Sequence, residues 1–176
     1  MISSTLLGLL LASNVASADC QALYQQHLAR DLSLSYEAFD QTMDSGFRAL
    51  ANAGCRSQAA DLIEAYRDAN DSPQSSLTWH VAQLRGEAGE IEAAKVAARS
   101  VLNPDQQADA EFLWNEHVNA YLAFLEGDRE AFDTQRAALK AGQERHPGNA
   151  MNMRMWDTLA PNFELGYAGA VARYGN

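Results

Sequence analysis

The stretch AGCRSQAA at residues 53–60 is matched in outline by AGEIEAA at residues 88–94 and by EGDREAF at residues 126–132. The glycines at positions 54, 89 and 127 are 35 and 38 residues apart, and an alanine follows each after four or five residues. Each glycine lies between two stretches that have the apolar spacing of an amphipathic helix. A helix–glycine turn–helix unit that recurs at about 34 residues is typical of stacked helical hairpins.

The remaining sequence also favours helices. Alternating β-branched runs are absent, and Ala, Leu, Glu, Gln and Arg, which are good helix formers, are abundant. The apolar spacing and the turn residues predict helices at about 19–30, 36–52, 57–69, 74–86, 91–102, 106–126 and 129–145, one from Asn149 to the break at Pro161, and one in the glycine-rich end at 166–175. The predicted fold class is all-α: stacked antiparallel helical hairpins, an α-solenoid of about three units at 36–69, 74–102 and 106–147, with N- and C-terminal capping helices.

The first 18 residues resemble a targeting segment. The apolar run LLGLLLA at 6–12 is followed by Ala16-Ser17-Ala18, which has the small-residue pattern of a signal-peptide cleavage site. The run is shorter than the roughly 20 apolar residues that span a bilayer. We expect a signal peptide at 1–18, cleavage after Ala18, and a periplasmic or secreted protein. A buried or tail-anchoring N-terminal helix is the alternative.

Residues 19–176 have the length of a single domain with a core of its own. The chain has a net charge of −10 and a pI near 4.7. Nucleic acids and anionic lipid surfaces bind basic faces, and this chain has no basic cluster. We therefore expect no nucleic-acid partner. Since the apolar run at 6–12 is too short to span a bilayer, we also expect no stable membrane insertion after signal cleavage.

The two cysteines, Cys20 and Cys55, flank the ends of the first predicted helical hairpin. An antiparallel pair of helices brings these ends together, and two cysteines in an exported protein favour one disulfide. The sequence thus predicts a Cys20–Cys55 disulfide, with two free structural thiols as the alternative. Their spacing excludes a catalytic C-x-x-C pair.

Residues 36–147 resemble the tetratricopeptide repeat. In that family a large residue begins the first helix of each unit, small and aromatic residues follow at fixed steps, and a glycine precedes an alanine in the second helix. The matching residues here are Met43, Gly46, Phe47, Leu50, Gly54 and Ala59; Trp79, Ala82, Gly86, Gly89 and Ala94; and Trp114, His117, Val118, Tyr121, Gly127 and Ala131. The sequence departs from the family at Gln83, which replaces a small residue, and by extra residues before Gly127.

The resemblance implies a binding role rather than catalysis. In such arrays the first helix of each pair lines a concave groove that holds a protein or peptide. The positions that match the groove are Gln41, Asp44, Arg48 and Asn52 in the first unit, His80 and Glu87 in the second, and Asn115 and Asn119 in the third. Amide side chains there could hydrogen-bond a peptide backbone. The same residues are also ordinary for a solvated helix face.

Two other classes of function remain open. A small periplasmic enzyme or metal-binding protein would need His80 and His117, with Glu116, in one pocket. An inhibitor or immunity-type partner of a secreted protein is compatible with the acidic charge. Nucleophile elbows, P-loops and dinucleotide-binding loops are absent, so the sequence predicts no cofactor. The favoured prediction is a non-enzymatic exported scaffold.

Overall fold

The computed structural model describes residues 19–174, so the predicted signal peptide at 1–18 lies outside the described residues. Within this range the chain is all-helical and contains no β-strand, which confirms the predicted fold class at that level. The helices are α1 (19–31), a π-helical turn (Glu37–Gln41), α2 (Gly46–Asn52), α3 (Arg56–Asn70), α4 (Ser75–Glu87), α5 (Ile91–Ser100), α6 (Trp114–Glu126), α7 (Arg129–Ala141), α8 (Pro147–Leu159), a 3-10 helix (Ala160–Leu165) and α9 (Gly166–Tyr174).

No helix among residues 19–174 is long and apolar enough to cross a membrane. The chain divides into two compact units, the first ending at Leu77 and the second beginning at Thr78, so that the division falls within α4.

Two contacts stabilise the first unit, one near the start of α1 and one just after its end. A disulfide joins Cys20, near the start of α1, to Cys55, just before α3, as the sequence predicts. At the other end, Tyr66 Oη donates a hydrogen bond to the Leu34 carbonyl across 3.0 Å. The ring of Phe39 stacks on that of Tyr66 with 3.8 Å between centroids, and both rings are buried.

The predicted continuous helix at 36–52 is wrong. The chain forms the π-helical turn, passes through Thr42 in an extended conformation, and restarts as α2 at Gly46. Gly46 has φ +52°, and a Cβ there would collide with the Phe39 carbonyl group. Side chains satisfy backbone carbonyls that the break leaves without helical partners: Arg48 Nε donates to Asp40 O, and Asn52 Nδ2 donates to Met43 O.

The second unit has an aromatic core. Trp156 and Tyr121 are fully buried, and Phe124 and Phe132 pack edge-to-face with 5.1 Å between their centroids. α6 and α7 form an antiparallel hairpin, which turns at Gly127 with φ +70°. The Asp128 carboxylate caps α7 by accepting a hydrogen bond from the Ala131 amide across 2.9 Å.

The predicted helix at 106–126 is wrong in its first third, because α6 begins only at Trp114. The preceding segment forms turns that side chains hold in place. Asn115 donates to the Asn103 carbonyl and accepts from the Asn103 amide, both at 2.8 Å, and Gln106 Oε1 accepts from the Asn115 amide. Such side-chain bonds to the backbone compete with the helix, and here they prevail.

The later helices also differ in their ends. α7 stops at Ala141 rather than 145, and α8 begins at Pro147, before the predicted cap at Asn149. Asn149 is instead buried, where it donates to the Gly142 carbonyl and accepts from the Leu113 amide. The predicted C-terminal helix is present as α9.

Candidate ligand-binding cleft

A cleft of about 510 Å³ lies within the second unit, between α4, α8 and α9. This volume is within the usual range for sites that hold small ligands or peptide side chains. Its walls combine apolar, aromatic and charged side chains. The residues that line it are Gln83, Glu87, Arg154, Met155, Thr158, Leu159, Tyr167, Val171 and Tyr174.

Gly86 allows the helices around the cleft to approach closely. A Cβ at this position would collide with Tyr121 Oη and would lie 3.0 Å from Tyr167 Cδ1. The Tyr121 hydroxyl cannot easily move away, because it donates a hydrogen bond to the Ala82 carbonyl across 2.5 Å in the protein interior. The rings of Tyr121 and Tyr167 meet at right angles with 4.8 Å between centroids. α9, which carries Tyr167, is thereby held against α4 and α6.

The cleft has an apolar floor and a polar rim. Leu159 and Tyr167 are buried, and Met155 and Val171 are partly buried against the core. At the rim, the side chain of Tyr174 is 70% exposed, and Arg154 and Thr158 are also exposed. An apolar surface with a few polar groups at its edge is the usual composition of a binding pocket.

Glu87 influences the phenols beside the cleft. Burial is the main cause that raises the pKa of Tyr167, and the negative charge of Glu87 raises it further. Burial also raises the pKa of Tyr121, with smaller contributions from Tyr167 and Glu87. Both phenols therefore keep their protons at physiological pH.

Three of the four groove residues predicted in the first repeat unit support the break before α2. Gln41 donates a hydrogen bond to the carboxylate of Asp40, which is buried. The Arg48 guanidinium donates to both the backbone carbonyl and the carboxylate of Asp40. Asn52 bonds to the Met43 carbonyl across 3.2 Å, and Asp44 is exposed in the intervening turn. These contacts give Gln41, Arg48 and Asn52 structural roles.

The groove residues predicted in the second and third repeat units, His80, Glu87, Asn115 and Asn119, are dispersed. Glu87 lines the cleft. His80 lies 3.3 Å from Gln83 Oε1, and Asn115 is engaged with the backbone of Asn103. Asn119 lies one turn further along α6 and is half-buried.

Sequence reasoning missed most of the cleft. Arg154, Met155, Tyr167 and Tyr174 lie on α8 and α9, beyond the segment that resembles a repeat. One sequence feature could have indicated the cleft. Gln83 is polar where the tetratricopeptide pattern has a small residue, and Gln83 lines the cleft.

His80, His117 and Glu116 have separate partners. His117 is 3% exposed, and Trp156 Nε1 donates a hydrogen bond to its Nδ1 across 3.1 Å. Burial lowers the pKa of His117 to about 3, so its imidazole is neutral at physiological pH. Glu116 instead accepts a hydrogen bond from Gln106 Nε2 across 2.7 Å. Across residues 19–174, no three or more His, Cys, Asp or Glu side chains are arranged to hold a metal ion.

A charged cluster occurs at the end of α1 in the first compact unit. Asp31 is fully buried, with its carboxylate 2.7 Å from His27 Nδ1 and 2.5 Å from Arg30 Nε. Burial opposes ionisation of Asp31, but the hydrogen bonds from Arg30 and His27 outweigh it and lower the pKa of that carboxyl. The contacts within this cluster stabilise a buried charge on one helix.

Comparisons of the chain with protein-family models, curated proteins and solved structures find no match.

Proposed function

We propose that this protein is a non-catalytic scaffold that binds a segment of a protein or peptide in the cleft between α4, α8 and α9. The observation that carries the proposal is the combination of an apolar floor, at Leu159 and Val171, with charged lining residues, Glu87 and Arg154. Such a site can take up an apolar side chain and orient it by hydrogen bonds and charge. The mechanism is reversible capture without covalent chemistry.

The scaffold itself is, in this proposal, a degenerate tetratricopeptide-like array. Support comes from the three glycines of the sequence pattern, which have positive φ where the chain leaves one helix and enters the next: +82° at Gly54, +80° at Gly89 and +70° at Gly127. Glycine adopts this conformation without the steric cost that other residues bear. The turns thus join α2 to α3, α4 to α5, and α6 to α7.

The protein acts, in the same proposal, in the periplasm or outside the cell. The Cys20–Cys55 disulfide supports this location, because disulfides persist mainly in oxidising compartments. The signal-peptide pattern at 1–18 is a second, independent support.

Site-specific photo-crosslinking in the producing cells tests the function. A benzophenone amino acid replaces Tyr174 at the rim of the cleft, and a matched variant carries it at Val96, which is 68% exposed on α5 and does not line the cleft. We expect a discrete adduct from position 174 that is absent from position 96, and direct binding when its partner is purified. Identical adduct patterns from both positions, or no adduct at 174, would contradict the proposal.

A further inference from the structure

The cleft carries opposite charges on two different helices. Glu87 is on α4, Arg154 is on α8, and both line the cleft together with the apolar side chains of Met155, Leu159 and Val171. A ligand in the cleft can therefore contact an anion, an apolar floor and a cation at once.

Arg154 forms no ion pair with any carboxylate of residues 19–174, although the chain has a net charge of −10. Other arginines pair with a carboxylate: Arg30, Arg48, Arg85, Arg99, Arg129 and Arg136. Among residues 19–174, Arg67, Arg145 and Arg173 form no such pair either, so what distinguishes Arg154 is its position in the lining of the cleft. An arginine presents a planar fork of donors that suits a carboxylate. Arg154 thus offers a ligand carboxylate a partner at the rim of an apolar surface.

Glu87 favours a basic side chain in the ligand, as Arg154 favours an acidic one. Its negative charge reaches the phenols of Tyr121 and Tyr167, which it makes harder to ionise. A lysine or arginine side chain in the cleft would meet this carboxylate near aromatic rings, an environment that favours cations.

We propose that the cleft selects an extended peptide segment carrying both charges, with a basic side chain directed at Glu87, an apolar side chain on the floor at Leu159 and Val171, and an acidic side chain directed at Arg154. This inference rests on the proposed function and specifies the chemistry of its ligand. The basic and acidic residues set the orientation of the segment, and the apolar residue contributes most of the buried area.

The test is a titration of the ¹³C-labelled Met155 methyl group with synthetic peptides. The probes are acetylated, amidated peptides in which one, two or three leucines separate a lysine from a glutamate, in both orders. Matched peptides carry glutamine in place of the lysine or of the glutamate. The protein is tested as wild type, Glu87→Gln and Arg154→Gln, with circular dichroism to verify that each variant is folded.

We expect at least one lysine–glutamate peptide to shift the Met155 signal, and each glutamine replacement to weaken its binding by up to about fivefold, as exposed charge pairs usually do. In Glu87→Gln, replacing the peptide lysine should have no further effect, while replacing the glutamate should still weaken binding. In Arg154→Gln the pattern should be reversed.

The inference falls if no peptide shifts the signal, or if the glutamine peptides bind as tightly as their parents. It also falls if both protein variants weaken all peptides alike. Because the photo-crosslinking experiment does not depend on charge, a specific adduct at position 174 together with these negative results would retain the binding function and overturn only the proposed ligand chemistry.

Discussion

Trp156 Nε1 donates a hydrogen bond to His117 Nδ1 across 3.1 Å in the core of the second unit. The bond joins α8 to α6, and it requires the neutral imidazole with its proton on Nε2. α8 also carries Arg154, Met155 and Leu159, so the bond helps to fix one wall of the cleft. His117 therefore has an evident structural role.

The buried His117 should make stability depend on pH. Its pKa is about 3 in the folded protein and near 6.5 in the unfolded chain, so its contribution is complete above pH 6.5 and is lost as the pH falls from 6.5 to 3. The loss attributable to this residue at pH 5 is about 2 kcal/mol. Urea unfolding at pH 7.5 and pH 5 measures it.

The control is His117→Asn, whose amide oxygen can accept the bond from Trp156 but does not titrate. We expect this variant to be less stable than wild type at pH 7.5 and to lose less stability on acidification. An equal loss in both proteins would show that another group is responsible.

The disulfide should account for much of the stability of the first unit. Cys20 and Cys55 are 35 residues apart in sequence, and closing a loop of this length contributes about 4 kcal/mol in the chain-entropy description. Thiol labelling of the unfolded, non-reduced protein should modify neither cysteine. The double substitution to serine should lower the free energy of unfolding by about that amount, whereas two labelled thiols in the wild type would refute the pairing.

Two glycine substitutions separate backbone strain from collision. Gly54→Ala places an alanine at φ +82° in open space, so we expect a cost of about 1–2 kcal/mol from the left-handed conformation alone. Gly46→Ala adds a collision with the Phe39 carbonyl and should cost clearly more, about 3 kcal/mol or above. Thermal unfolding of both variants measures the difference, and equal costs would contradict the tight approach at Gly46.

The close packing at Gly86 should appear as coupling between two substitutions. Gly86→Ala collides with the Tyr121 hydroxyl, and Tyr121→Phe removes that oxygen. We expect Gly86→Ala to be destabilising in the wild type by about 2 kcal/mol, in the range of overpacked cores, and less so in the Tyr121→Phe background. Strictly additive free energies of unfolding in the double-mutant cycle would exclude the contact.

The helical class and the disulfide could be predicted because both depend on local signals. The glycines at 54, 89 and 127 indicate turns whatever the packing of the helices that they join. The Cys20–Cys55 pairing could be predicted because both cysteines flank the first predicted hairpin. The break before α2 and the late start of α6 depend instead on side chains that bond to backbone groups eight to twelve residues away in sequence. Asn115 with Asn103 is the clearest case, because helix propensity does not anticipate such a bond.

The candidate site was less predictable for a related reason. Its walls combine α4 with α8 and α9, and no repeat pattern relates Glu87 to Arg154 or Tyr167. The groove prediction depended on the first helices of the three repeat units being equivalent. In the first of these units the helix is interrupted before α2, and Arg48 and Asn52 bond to backbone carbonyls at that interruption.

The most direct test of binding in the cleft uses the partner identified by photo-crosslinking, purified on its own. Its affinity is measured for a variant of this protein whose cleft is blocked. Val171→Arg places a long charged side chain in the cleft, and Val96→Arg makes the same change on the exposed face of α5. Isothermal titration calorimetry should show binding weakened at least about tenfold, or 1.4 kcal/mol, by Val171→Arg and unchanged by Val96→Arg. Equal affinity of both variants, with Val171→Arg folded by circular dichroism, would contradict the account.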